Sequence, residues 1–160
     1  MEQNLYDFSD RKFMTALHEP THFYMAQVFN EKYPGTFKCV SIKNQNYTFY
    51  QYNSHVWMEL DNTSVISNLI STELVSEYIE LGIYLTKNIN NSEEDNNGII
   101  SVINKIIYYL ENSIFKQGMI CEYANLIYDP NFINELNENT NLLCFNNAVL
   151  SFDDSTNVSK

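Results

Sequence analysis

Basic residues, glycine, proline, cysteine and long apolar runs are all scarce in this chain of 160 residues. Lys plus Arg number 9 against 20 for Asp plus Glu, so the formal net charge is −11, and Arg11 is the sole arginine. Affinity for nucleic acid comes largely from cations that neutralise phosphates, so the composition argues against an autonomous DNA or RNA binder. An anionic membrane surface repels the chain for the same reason. Only 4 glycines and 3 prolines are present, and no GxxxxGK[ST] phosphate loop, GxSxG elbow or HExxH helix occurs. The cysteines are three, Cys39, Cys121 and Cys144, widely spaced and without a CxxC pair. That pattern suits a reducing compartment and neither a disulfide framework nor a zinc site. His18 and His22 have the four-residue spacing of two ligands on one helix face, but Pro20 between them breaks such a helix. Met1 to Ser9 lacks the basic-then-apolar pattern of a signal peptide. No apolar run approaches the roughly 18 residues that span a bilayer. The expected setting is intracellular and reducing, with no membrane partner.

What is present is apolar and aromatic. Hydrophobic residues make up 44%, with 12 Tyr and 10 Phe, enough for one packed domain rather than a disordered chain. Asn, Ile and Tyr are abundant and Lys far outnumbers Arg, as AT-rich codons would produce. The Asn-X-Ser/Thr triplets at Asn46, Asn62 and Asn157 are expected by chance on that background.

Periodicity divides the chain. A short helix or linker is expected before residue 20. Thr21 caps a helix bearing Met25, Ala26, Val28, Phe29 and Tyr33, and Pro34-Gly35 stops it. Three strands follow, Phe37 to Ile42, Tyr47 to Tyr52 and Val56 to Leu60, with polar turns at Lys43–Asn46 and Asn53-Ser54. Connections this short imply an antiparallel meander, which needs helices as cover. From Val65 to about Asn88 apolar residues recur as Ile66, Ile70, Leu74, Tyr78, Leu81 and Leu85, the stripe of a long helix. Glu73, Glu77 and Glu80 fall on its polar side, where a solvated surface is expected. Asn88 to Asn97 reads as a polar, mobile loop. A second helix carries Ile99, Ile103, Ile106, Leu110 and Ile114 inward. A third runs from about Lys116 to Tyr128, with Met119, Ile120, Tyr123, Ala124 and Ile127 inward and Cys121 as a structural thiol. Asp129-Pro130 is expected to open a short helix with Phe132. Leu142 to Phe145 and Ala148 to Phe152 flank Asn146-Asn147 as a hairpin. The fold class is therefore α+β: a mainly helical bundle with a three-stranded antiparallel meander and a C-terminal β-hairpin. Residues 1–19 form a linker or short helix, 20–152 one domain, and 153–160 a frayed tail.

Two surfaces deserve nomination. The helix around Ile99, Ile100, Val102, Ile103 and Ile106 carries more apolar residues than one buried face requires, so Ile100, Ile107 and Tyr108 are candidates for a partner interface. The aromatic strands with their two lysines, Lys38, Lys43, Tyr47, Tyr50 and Trp57, are candidates for stacking on single-stranded bases. No catalytic, cofactor-binding or metal-binding residue can be named.

Three segments, read together, resemble a known family. They are THFYMAQVFNEKYPGTFKCVSIKNQNYTFYQYNSHVWMEL (Thr21 to Leu60), ISTELVSEYIEL (Ile70 to Leu81) and FKQGMICEYANLIYDPNFINELNENTNLLCFNNAVLSF (Phe115 to Phe152). The closing block falls on Phe132, Leu136, Asn137, Asn139, Leu142, Leu143, Phe145, Asn147 and Val149, and lacks only the family's glycine at the turn around Asn147. It resembles the region just N-terminal to the superfamily 3 helicase core of the primase–helicases of poxviruses, giant DNA viruses and some phages and plasmids. The resemblance implies a part in viral DNA replication, in a host cytoplasm or viral replication compartment. It implies primase carboxylates upstream, and a phosphate-binding loop, metal-binding acid and arginine finger downstream, so ATP and Mg belong to other domains. For this chain it implies no enzyme activity of its own. The implied role is to link primase to helicase and help subunits pack, with those domains as partners and a homo-oligomer as a further option. The competing readings are a single-strand contact module and a standalone enzyme, the latter with no motif behind it.

Overall fold

A computed structural model describes residues 11–54, 56–87, 93–136, 142–145 and 148–151. The expected linker before residue 11, the loop at 88–92, Asn137 and Asn139 of the closing block, the Asn146-Asn147 turn and the tail from 153 lie outside them.

Helix α1 (Arg11–His18) ends before Pro20, and α2 (His22–Lys32) starts afresh two residues later. Thr21 caps α2, its hydroxyl oxygen accepting from the Tyr24 amide at 3.3 Å. Gly35, at φ +66°, turns the chain out of the helix. Strands β1 (Phe37–Lys43), β2 (Asn46–Asn53) and β3 (Val56–Glu59) form the antiparallel meander, in the order β1-β2-β3. The β1–β2 turn has Asn44 and Gln45 both at positive φ, 49° and 64°, the twist-matching geometry of a two-residue hairpin. One extra residue, Val40, bulges between Cys39 and Ser41 and is buried.

The long helix is interrupted. Between α3 (Ser64–Leu69) and α4 (Val75–Lys87) lies a π-helical turn, Ile70–Leu74. The stripe explains it. Ile66, Ile70, Leu74 and Tyr78 are all buried yet step by four each time. In an α-helix each step of four overshoots a turn by about 40°. The wider π turn absorbs that drift and keeps the four side chains on one line.

Helix α5 (Glu93–Glu111) begins inside the expected polar loop, upstream of Gly98, and buries Ile103, Ile106 and Leu110. Ile114 does not continue its face. Asn112 ends α5 and caps α6 (Ser113–Leu126), its side-chain oxygen accepting from the Ile114 and Phe115 amides at 2.9 and 3.2 Å. Ile114 therefore sits in the first turn of a new helix, 77% exposed. Ile99 is likewise exposed rather than inward. Asp129-Pro130 leads into α7 (Phe132–Glu135) as expected: the Asp129 carboxylate accepts from the Asn131 and Phe132 amides, although the helix itself begins only after Asn131. Asp129 is also engaged with β1. Its amide donates to the Cys39 carbonyl at 2.8 Å, and the Cys39 amide donates to the Ile127 carbonyl at 3.3 Å. The chain after α6 thereby closes the β1 edge of the sheet. Strands β4 (Leu142–Phe145) and β5 (Ala148–Ser151) pair as a separate antiparallel hairpin.

The core lies between the helices and the inner face of the meander. Helix α2 packs on α6, and Phe29, Phe37, Phe49 and Tyr123 meet between them and the sheet. The Phe29 and Tyr123 rings are edge to face at 4.9 Å, and Phe49 stacks on Tyr123 at 6.3 Å. Gly118 on α6 lies against the His22 ring, so close that a Cβ there would come within 2.8 Å of it. Thus His22 is a packing residue of the α2–α6 contact.

Candidate functional site

The five residues nominated for base stacking do not share a surface. Side chains alternate along β2, so Tyr47 and Phe49 face the core while Tyr50 and Tyr52 face outward. Tyr47 packs against the core cluster and lies within hydrogen-bonding reach of Cys121. Burial, that bond and the neighbouring Cys39 and Glu122 together push its phenol up to about 12. Cys39 is buried, which pushes its thiol up to about 11 against a small opposing effect of the Ser41 carbonyl. On the outer face Tyr50 pairs across the sheet with Lys38 and Glu59. Its hydroxyl donates to Glu59 at 2.9 Å, which raises its pKa. Phe132 of α7 packs on this face, its ring meeting Tyr50 at 5.8 Å and Trp57 at 4.8 Å, while Tyr52 stays exposed. Lys38 is committed as well, to Asp129 at 2.9 Å, and that bond holds the Asp129 carboxyl below the usual range. Lys43 stands apart, exposed at the hairpin end.

The other nominated surface is largely assembled. Helices α4 and α5 pack side by side and leave a groove of about 370 Å³ along their solvent side. Ile79, Gly82, Ile83 and Thr86 line it from α4, and Ile100, Ile103, Asn104 and Ile107 from α5, with Tyr78 at its floor and Lys87 at its end. Of the three nominated residues, Ile100 and Ile107 lie in the groove. Tyr108 is not among its lining residues but is 64% exposed on the same helix. Sequence reading missed the α4 half, Ile79 and Ile83, 45% and 49% exposed. The signal was there: both fall outside the buried stripe of their helix. Gly82 keeps the floor open, since its nearest cross-helix neighbour, Ile103 Cγ2, would be 3.7 Å from an added Cβ. The Thr86 hydroxyl donates back to the Gly82 carbonyl at 2.7 Å, so this wall offers little free hydrogen-bonding capacity. The groove's chemistry is apolar contact, and it holds no nucleophile or acid–base pair.

A shallower polar cleft lies at the start of α3, lined by Ser64, Val65, Ser67, Asn68, Ser71 and Lys116. Lys116 Nζ donates to the Ser71 hydroxyl there at 2.7 Å. Glu77 is not the solvated carboxylate expected of the polar helix side. It forms an ion pair with Lys32 of α2, both side chains only 14% exposed. Among the described residues no three His, Cys, Asp or Glu side chains converge on a metal-sized site, and no helix is long and apolar enough to cross a membrane.

This architecture is an α+β domain of helices wrapped around a small antiparallel sheet, with one apolar face left between two helices. No family model matches the chain. Its sequence is similar to a segment of a protein of Acanthamoeba polyphaga mimivirus named as a putative helicase, with 38% identity over 140 residues. That alignment covers 84% of this chain and 14% of the mimivirus protein. The chain thus has a helicase-related giant-virus relative, and it spans a small fraction of that relative's length.

Proposed function

We propose that this chain is a non-catalytic linker and assembly domain of a viral DNA primase–helicase of the superfamily 3 type. In this reading it couples primase to helicase and supports subunit packing during DNA replication. The observation that carries the reading is the asymmetry of the mimivirus similarity, 84% of this chain against 14% of the relative. That is the proportion of one domain within a long multidomain protein. The apolar α4/α5 groove supports it, because an assembly element needs surface that a partner can cover. Helicase and primase domains are the proposed partners, and ATP and Mg are proposed to act in those domains.

Size-exclusion chromatography with light scattering tests this, on the chain alone and mixed with the helicase core from the same genome. The reading expects a complex, or a shift in the core's oligomeric state. If the chain neither associates with the core nor changes its mass, the assembly role fails.

The alternative, a single-strand contact module built on residues 47–57, has less support. Tyr47 faces the core, Phe132 occupies the outer aromatic face, and Lys38 is paired.

A further inference from the structure

The polar cleft between α6 and the helical run that starts at Ser64 has a volume of about 540 Å³. Ser64, Ser67, Asn68 and Ser71 stand at i, i+3, i+4 and i+7, so they share one side of that run, and Lys116 of α6 lines the cleft with them. Their hydrogen-bonding capacity is mostly unused. The Thr72 and Thr86 hydroxyls, farther along, donate back to the carbonyls four residues earlier, at 2.9 and 2.7 Å. Among the described residues the side chains of Ser64, Ser67 and Asn68 have no such partner, and the Ser71 hydroxyl only accepts, from Lys116 Nζ at 2.7 Å. Lys116 also differs from the other packed lysines. Lys32 and Lys38 are each held by a carboxylate. Lys116 is half-buried against a hydroxyl, and among the described residues no carboxylate lines its cleft. An ammonium has three N–H donors, so two remain for a ligand. The helix start plays no part, because the Ser64 amide is taken by Asn62 Oδ1 at 2.8 Å. A cation ringed by hydroxyls and an amide suits an acceptor that carries negative charge. One ammonium balances one negative charge, and the net charge of −11 weighs against a multiply charged anion. We propose that this cleft binds a carboxylate, of a small organic acid or of an acidic side chain, on Lys116 Nζ with Ser67, Asn68 and Ser71 as further donors. This site goes beyond the assembly reading and does not rest on it.

The test is an NMR titration of the isotope-labelled full chain with acetate, with glutamate capped at both ends, and with inorganic phosphate, at constant ionic strength set by chloride. Acetate probes the free acid and capped glutamate the acidic side chain. At least one of them is expected to shift the amides of Ser67, Asn68, Ser71 and Lys116 saturably, with a dissociation constant of the order of ten millimolar. The tighter of the two names the source of the carboxylate. Phosphate is expected to bind at least about threefold more weakly. Lys116→Gln is expected to weaken carboxylate binding by about tenfold, and Ser71→Ala by a smaller factor. Lys105→Gln, which removes a lysine lying over the Tyr109 ring of α5, leaves it unchanged. The dispersion of each variant's spectrum establishes that it is folded. No saturation by either carboxylate, shifts that survive Lys116→Gln, or tighter binding of phosphate than of both carboxylates overturns the proposal. Should Lys116→Gln fail to fold, Ser71→Ala decides, and unchanged binding in that variant overturns it. The helicase-core mixing experiment reads a different surface, so either result can fail without the other.

Discussion

At the scale of single residues, the most informative side chain is Tyr123. Its ring is the hub of the aromatic core, yet its hydroxyl is buried without a hydrogen-bond partner. Burial pushes its pKa well up. An unpaired buried hydroxyl costs about 1–3 kcal/mol, so Tyr123→Phe should leave the fold intact and raise stability by about 1 kcal/mol. Urea denaturation reads the change, and a loss of more than about 1 kcal/mol would show that the hydroxyl is satisfied. Asp129 offers a pH test. Its carboxyl is held below its ordinary value, first by the bond from Lys38. A depressed carboxyl stabilises the fold above its unfolded pKa and loses that contribution as pH falls through the folded one. Asp129→Asn should therefore flatten the acid limb of the stability curve below about pH 4, with little change in its shape near neutrality. An unchanged acid limb would contradict the assignment. Neither the Lys38–Asp129 nor the Lys32–Glu77 pair was legible in the sequence, because their partners lie 91 and 45 residues apart. Removing one partner of a pair shielded from water leaves the other uncompensated. Glu77→Ala should accordingly cost about 2 kcal/mol in thermal or chemical unfolding, whereas Glu80→Ala on the exposed side should cost under about 0.5 kcal/mol.

At the scale of elements, periodicity did most of the work. The meander and its turns were readable because polar, turn-forming residues separate runs of aromatic and β-branched residues. The α2 boundaries followed from Thr21 and Pro34-Gly35. Three elements were misread, each for a physical reason. Ile114 continues the apolar rhythm of α5 only on paper: Asn112-Ser113 is a helix-start signal, and a cap outranks one apolar residue. The five nominated stacking residues were grouped by proximity in sequence, although alternation along β2 already separates Tyr47 from Tyr50. The π turn was signalled by three consecutive steps of four in the stripe. A π turn amounts to one residue inserted into an α-helix, and that gives a prediction. Deleting Thr72, an exposed residue within the turn, converts the stripe to alternating steps of four and three. It should change stability by less than about 1 kcal/mol. Deleting Asn104 from α5 instead rotates everything beyond it by about 100°, misplaces Ile106 and Leu110, and should prevent folding. Circular dichroism melts of the two deletions compare them directly. If both unfold the chain, the π turn is not a tolerated insertion.

For the whole molecule, charge and apolar surface act together. The α4/α5 face is apolar, and among the described residues the one charged side chain that lines it is Lys87. Half of that groove was foreseen from α5 in the sequence. The other half, on α4, needed the helix pairing, which brings residues around 79–87 beside those around 100–107. The net charge of −11 argues against direct phosphate contact by this chain. Labelled single-stranded DNA at low salt should accordingly show no binding at tens of micromolar protein, and binding there would revive the aromatic-strand reading.

The most direct test of the assembly account is native mass spectrometry of this chain mixed with the helicase core of the same genome, wild type against the double variant Ile79→Lys/Ile83→Lys. Both positions are exposed in the isolated domain, so its melting temperature should hold while the assembled species falls to smaller ones. An unchanged assembly, with the variant folded, would contradict the account.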